Sequence, residues 1–127
     1  MGLDMYLNGD NFFPYDHERR NSNPPVVLEQ VRLGYWRKHP NLHGYIVNTF
    51  AGGIDKCQQI DLTKADLQQI IEAIRNKELP PTSGFFFGES EDSDEQIADD
   101  IAVFKQAIKW LEEKTTAWRS VNYRASW

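Results

Sequence analysis

The densest group of residues suited to chemistry is a short basic and aromatic stretch. Its members are Trp36, Arg37, Lys38 and His43. The guanidinium of Arg37 can hold a carboxylate or a phosphate through two parallel hydrogen bonds. If residues 41–50 are helical, His43 lies near a helix N-terminus, where free backbone N–H groups favour an anion. The stretch therefore predicts an anion or phosphate pocket with these four residues as its ligand-binding side chains.

The same cluster also has a purely structural interpretation. A strand end can leave Arg37 and Lys38 in solvent while Trp36 packs in the core, and Arg37 can pair with Asp4 across a sheet. Spacing alone does not separate the two interpretations, so both stay open. The discriminating observation is whether these side chains converge on a concave pocket.

A second concentration of charge is acidic. Seven of the 19 acidic residues fall between Glu89 and Asp100, with no basic residue among them. Clustered carboxylates can hold Ca²⁺ or Mg²⁺, but this run lacks the glycine that turns an EF-hand loop. Ser93 followed by Gln96 favours instead a capped helix start, in which the acids oppose the helix dipole. We expect neither a metal nor a cofactor.

Three phenylalanines stand between glycines in the motif GFFFG, residues 84–88. A strand can bury only one of its faces, so some of the rings must meet a helix, a partner or a ligand. Packing against the long helix is the ordinary alternative. Together with acids of the adjacent run, the rings form the predicted interaction surface: Phe85, Phe86, Phe87, Glu89, Glu91 and Asp92.

A single cysteine, Cys57, cannot form an internal disulfide. It could pair with His39 or His43 as a catalytic nucleophile, although a lone cysteine in an apolar alternation usually packs in the core. The sequence names no catalytic residue, and whether the chain is an enzyme stays open.

The elements that position these residues follow from hydrophobic periodicity. Apolar and polar residues alternate over Leu3–Leu7 and Val121–Ala125, which predicts two strands that enter one sheet from opposite ends of the chain. Residues 26–36 and, more weakly, 54–62 predict two further strands. Helices are predicted from Pro40, from Thr63 with Asp66 as a capping box, and from Ser93. Residues 11–25 have the composition of a loop.

Length and composition place these elements in one domain. The chain has 127 residues, 40% of them hydrophobic and 26% charged, as in an ordinary globular protein. We predict a single α+β domain over residues 1–127, with a mixed or antiparallel sheet of four to five short strands packed with three helices. No stretch approaches the length of a membrane span, and the N-terminus lacks a signal-peptide pattern, so we expect a cytoplasmic protein. A net charge of −5 disfavours general nucleic-acid binding.

Four blocks of the sequence occur together in a known pattern. They are MGLDMYL at the start, YWRK at 35–38 followed by His43, LPPTSGFFFG at 79–88, and NYRASW at the end. In this order the blocks resemble an uncharacterised family of small phage and prophage proteins, and the resemblance spans nearly the whole chain. It implies a phage or prophage origin, and hence the cytoplasm of a bacterial host, but no particular chemistry.

Two functions from different classes are therefore expected. The first is a phage or prophage accessory protein that binds a host or phage macromolecule through its acidic helix start and exposed aromatic rings. The second is a small-molecule or nucleotide-binding protein, with enzymatic activity left open, whose anion pocket surrounds Arg37, Lys38 and His43. The sequence leaves the oligomeric state undetermined.

Overall fold

A computed structural model describes residues 2–84, 88–90 and 93–127 of the chain. Within these residues four strands and three α-helices form, in addition to one short 3₁₀ helix over Glu18–Asn21. The strands are β1 (Asp4–Phe12), β2 (Leu28–Arg37), β3 (Ile60–Leu62) and β4 (Trp118–Ser126). The helices are α1 (Pro40–Phe50), α2 (Lys64–Arg75) and α3 (Asp94–Glu112).

The four strands form one antiparallel sheet in the order β2-β1-β4-β3. The predicted pairing of the two chain ends is confirmed, because β1 and β4 are the central neighbours and Met5 lies opposite Ala125. Trp127 keeps 44% of its surface exposed, so the end of the chain is partly buried rather than a free tail. The predicted α+β class, with three helices and a sheet of four strands, is confirmed for the described residues.

The helices begin where their capping residues predict. Pro40 is the first residue of α1, where its missing N–H costs no intrahelical hydrogen bond. Thr63 and Asp66 form a complete capping box at α2. At α3 the box is only half formed: Ser93 Oγ accepts from the backbone N–H of Gln96, but the Gln96 side chain turns away to Asp100.

The strand predicted over residues 54–62 is shorter than expected. Only Ile60–Leu62 pairs with β4. Cys57 has a φ of 58°, in the left-handed region, which interrupts an extended backbone and replaces the first half of the predicted strand with turns.

One face of the sheet carries the core. Leu3, Met5 and Leu7 are fully buried and pack with apolar side chains of all three helices, among them Ile46, Ile70 and Phe104. Alternate residues of β1 point to the opposite face, which is polar at its centre. There Asp10 Oδ2 accepts from Asn122 Nδ2 at 3.0 Å, and Asn8 Oδ1 accepts from Arg32 Nε at 2.8 Å.

None of the helices in the described ranges combines the length and the apolar character needed to cross a bilayer.

Candidate functional site

At the end of β2, neighbouring residues take the two roles that the sequence left open, core packing and exposure at a ligand site. Trp36 lies opposite Met5 in the register and is buried, with its ring stacked on Phe104 at 5.4 Å. Arg37 lies opposite Asp4 on the other face and is exposed. Trp36 is therefore a core residue, while Arg37 projects from the strand end.

Lys38 turns the chain from β2 towards α1. Its φ is 56°, and its backbone N–H donates to Leu3 O at 2.8 Å, which ties the turn to β1. Gly88 lies against the aliphatic stem of Lys38, where a Cβ atom on Gly88 would come within 2.9 Å of it. Gly88 also has a φ of 72°, so both the backbone conformation and the close approach favour a glycine there.

These residues border a cleft of about 380 Å³ beside the strand end, a size that suits a small ligand. The cleft is lined by Tyr35, Trp36, Arg37, Lys38, His39, Glu89 and Gln96. Three of the four residues predicted for ligand binding thus converge on one concave surface, together with His39 in the place expected for His43.

A buried carboxylate organises the inner wall of this cleft. Asp100 Oδ1 accepts from Trp36 Nε1 at 2.9 Å and from Gln96 Nε2 at 2.7 Å. Asp100 Oδ2 lies 2.7 Å from Nε2 of His39, and both of these side chains are buried. With three donors around one carboxylate, His39 carries its proton on Nε2, and its Nδ1 is an acceptor when the ring is neutral.

The second nitrogen of His39 faces a hydroxyl group. Ser90 Oγ lies 2.8 Å from Nδ1 of His39 and accepts from the backbone N–H of Asn41 at 3.1 Å. Ser90 therefore supplies the side-chain cap of α1 that the N-cap residue His39 does not make itself. Ser90 is only partly buried and opens onto a second cleft of about 430 Å³, bordered by Asn41, Thr82 and Glu89.

A close approach at Gly44 holds the far wall of this second cleft. A Cβ atom on Gly44 would collide with the Thr82 side chain, so only glycine lets the chain pass so near to α1. Thr82 N–H also donates to Asn41 Oδ1 at 3.0 Å. The segment before the GFFFG motif is thereby fastened to the first turns of α1.

The structure places His43 in a separate network. Its Nδ1 lies 2.6 Å from Tyr123 OH, and its Nε2 lies 2.8 Å from Asp55 Oδ2. Burial, and secondly the negative charge of Asp55, raise the pKa of Tyr123 well above its ordinary value of 10.0. Asp55 also accepts from Trp127 Nε1 at 3.3 Å. This network ties α1 to β4 and to the end of the chain.

The predicted interaction surface falls mostly outside the described residues. Phe85, Phe86, Phe87, Glu91 and Asp92 belong to the segments that the structure does not describe. Of the predicted surface, Glu89 is described; it is exposed and borders both clefts.

Two further candidate chemistries, a metal site and a reactive thiol at Cys57, can be compared with the contacts of the described residues. Among those residues, no three histidine, cysteine, aspartate or glutamate side chains are grouped so as to hold a metal ion. Both ring nitrogens of His39 and of His43 face other partners than Cys57. The structure therefore gives no support to a cysteine and histidine catalytic pair.

Asp100 and Ser90 were not singled out by sequence reasoning. For Asp100 a signal existed, because it stands three residues after Ile97 and four before Phe104, on the apolar stripe of α3. An acid at such a position must be paired when buried. For Ser90 the sequence carries no comparable signal.

The site thus defines a small α+β protein with a buried aspartate and histidine pair, whose histidine lines one open cleft and contacts a serine that lines another. Comparisons with protein-family models, curated proteins and solved structures found no match for this chain. Its function is therefore argued from the site.

Proposed function

We propose that the protein binds a small anionic ligand in the cleft at the end of β2. The observation that carries this proposal is the convergence of Arg37 and Lys38 on one concave surface with His39. Both cations are exposed, and neither forms an ion pair with a carboxylate of the described residues. Two such cations at one cleft favour a carboxylate or phosphate group.

The alternative pairing of Arg37 with Asp4 is not the one that the side chains adopt. Although the two residues face each other in the register, Asp4 Oδ1 accepts from Tyr35 OH at 2.6 Å. That hydrogen bond raises the pKa of Tyr35, followed by smaller effects of burial and of the Asp4 charge. Arg37 is therefore available to a ligand. Glu89 also lines this cleft and disfavours ligands that place a negative charge beside it.

The test measures thermal stability in the presence of inorganic phosphate and of AMP. A ligand that binds only the native state at ten times its Kd raises the melting temperature by about 4 to 7 °C in a domain of this size. We expect such a rise for the wild type, and its loss in Arg37→Ala.

Potassium chloride at matched ionic strength separates binding from general screening. The matched control variant is Arg75→Ala, which removes an exposed arginine from α2 and changes the net charge equally. An equal rise in both variants, or no rise in the wild type, overturns the proposal.

A second candidate function rests on a different observation. Phe12 lies opposite both Leu28 and Trp118, and all three side chains are exposed. This apolar row across three strands, on the face opposite the helices, favours a macromolecular partner. The resemblance to phage and prophage proteins supports a host or phage protein as that partner.

Affinity capture from a bacterial lysate tests this second candidate. A partner that uses the apolar row should be retained by the wild type and lost in Trp118→Ala. Tyr15→Ala removes another exposed aromatic side chain, which is not part of the row, and should retain the partner. If Trp118→Ala still retains the partner, the apolar row is not the surface that binds it.

A further inference from the structure

The hydrogen bonds of the buried histidine run in a definite order, from hydroxyl to imidazole to carboxylate. Ser90 Oγ lies 2.8 Å from His39 Nδ1, and His39 Nε2 lies 2.7 Å from Asp100 Oδ2. We propose that Ser90 is a nucleophile for acyl transfer, with His39 as its general base and Asp100 as the positioning residue. This order is that of the serine, histidine and aspartate triad, with the two ring nitrogens exchanged.

The surroundings of each group fit its role. Asp100 is 1% exposed and accepts two further hydrogen bonds, so it holds the imidazole in one tautomer and one orientation. Ser90 is partly exposed and borders an open cleft of about 430 Å³, which has room for an acyl group. The N–H of Asn41, at the start of α1, donates to the same oxygen and fixes its position beside His39.

Capping alone does not account for the arrangement. A cap requires only that Ser90 Oγ accept the N–H of Asn41, which uses one lone pair of the oxygen. The hydroxyl proton remains, and it points to an imidazole whose other nitrogen is bound to a fully buried carboxylate. Burying such a pair costs desolvation free energy, and a cap does not need it.

The reaction balances with water as the only co-reactant. Ser90 Oγ attacks the carbonyl carbon of an ester while its proton passes to His39 Nδ1. The carbon–oxygen bond to the alcohol breaks, and the alcohol takes that proton from His39. Water then loses a proton to Nδ1 and attacks the acyl group, and the acid leaves as Ser90 Oγ regains the proton.

The adjoining basic cleft indicates the substrate class. Arg37, Lys38 and His39 line the cleft at the end of β2, Ser90 lines the other cleft, and Glu89 borders both. An ester with a second, anionic group would place that group on the two cations while its carbonyl meets Ser90. This part of the inference rests on the proposed anion binding, whereas the nucleophile does not.

A fluorophosphonate probe tests the nucleophile directly. Intact-mass measurement should show one adduct on the wild-type protein, and peptide mapping should place it on Ser90. Ser90→Ala should remain unlabelled, while Ser120→Ala, which removes an exposed hydroxyl of β4, should label like the wild type. His39→Gln should slow labelling about 10²- to 10⁴-fold, the usual contribution of a general base.

Rescue by a conservative variant tests Asp100 as the positioning residue. In Asp100→Asn labelling should slow by about 10²- to 10⁴-fold, because an amide no longer holds His39 in the tautomer whose Nδ1 accepts the Ser90 proton. Asp100→Glu keeps the carboxylate and should recover part of that loss, with both variants shown to be folded by urea denaturation. Equal slowing in the two folded variants would mean that the carboxylate of Asp100 does not position His39.

Two 4-nitrophenyl esters test the substrate class. The mono-ester of succinate should react at least about tenfold faster than the butyrate ester, and Arg37→Ala should remove the preference, since about 1.4 kcal/mol of charge interaction is tenfold in rate. If Ser90 is labelled but the two esters react equally fast, the proposed anionic substrate class is wrong, while the role of Ser90 as nucleophile stands. A phosphate effect on stability without any labelling of Ser90 in the mapped wild type overturns the nucleophile and leaves anion binding.

Discussion

His39 and His43, one turn apart at the start of α1, each bridge a carboxylate and a hydroxyl group. The two bridges differ in which of these groups is buried. At His39 the carboxylate is buried, with Asp100 1% exposed, and Ser90, which supplies the hydroxyl, borders a cleft. At His43 the hydroxyl of Tyr123 is buried, and the side chain of Asp55 is 27% exposed.

This inversion decides what each bridge can do. A hydroxyl that borders a cleft can meet a substrate. The buried carboxylate behind the imidazole fixes the tautomer in which the other ring nitrogen can accept the proton of that hydroxyl. Tyr123 is buried, and burial, followed by the negative charge of Asp55, raises its pKa further above neutral pH. Its hydroxyl keeps its proton, lies against His43 Nδ1 and holds β4 to α1. The same three chemical groups give a candidate reactive site in one direction and a structural link in the other.

The largest expected effect comes from removing the buried carboxylate. Asp100→Ala leaves the donors of Trp36, His39 and Gln96 without their common acceptor. We expect a loss of about 3 to 5 kcal/mol in the free energy of unfolding, measured by urea denaturation. The control is Asp99→Ala, an exposed acid one residue away, which should change it by less than about 0.5 kcal/mol. Equal effects would mean that the Asp100 pair contributes nothing to stability.

The next effect concerns the other bridge. Tyr123→Phe keeps the ring but removes the hydroxyl that donates to His43 Nδ1 at 2.6 Å. We expect a loss of about 1 to 3 kcal/mol in urea denaturation, since the site is buried and water cannot readily replace the donor. Tyr15→Phe, at an exposed loop tyrosine, should be neutral. A neutral Tyr123→Phe would show that the hydroxyl does not hold β4 to α1.

Alkaline pH should reveal the same buried hydroxyl. The pKa of Tyr123 is raised in the folded protein, so above its ordinary value of 10.0 the unfolded chain releases this proton and the native state keeps it. The contribution of this hydroxyl to the free energy of unfolding is fully present below pH 10. Above pH 10 the free energy of unfolding falls by about 1.4 kcal/mol per pH unit, until the raised pKa of the folded state is reached. The stability difference between wild type and Tyr123→Phe should therefore narrow above pH 10. A constant difference across that range would contradict the raised pKa.

Sequence patterns predicted those structural elements that are defined by residues close together along the chain. Alternation predicted both central strands, and Pro40 and Thr63 predicted two helix starts, because these signals lie within a few residues of the element they define. The placement of Arg37 and Lys38 at the end of β2 followed from the same local reasoning.

The candidate site depends on contacts between distant residues, which periodicity does not contain. His39 meets Ser90 across 51 residues and Asp100 across 61. Position near the helix start drew attention to His43, which instead faces Tyr123, 80 residues away. The one local signal, an acid on the apolar stripe of α3, predicts that Asp100 is paired but does not name its partner.

The smallest expected effect distinguishes the two hydroxyl groups. Ser90 Oγ accepts the N–H of Asn41 at 3.1 Å, and Ser93 Oγ accepts the N–H of Gln96 at the same distance. As helix caps, Ser90→Ala and Ser93→Ala should each cost about 1 kcal/mol in urea denaturation. For Ser90 the lost contact to His39 should add little, because the residue borders a cleft from which water can reach Nδ1.

Ser93→Ala is the control for this measurement, since it removes a helix-capping hydroxyl with the same N–H···O distance and with no histidine attached. If the two variants agree, the contact between Ser90 and His39 is not needed for stability, in contrast to that between Tyr123 and His43. If Ser90→Ala instead costs as much as Tyr123→Phe, Ser90 is a structural link of the same kind, and the inverted orientation of the two bridges has no functional meaning.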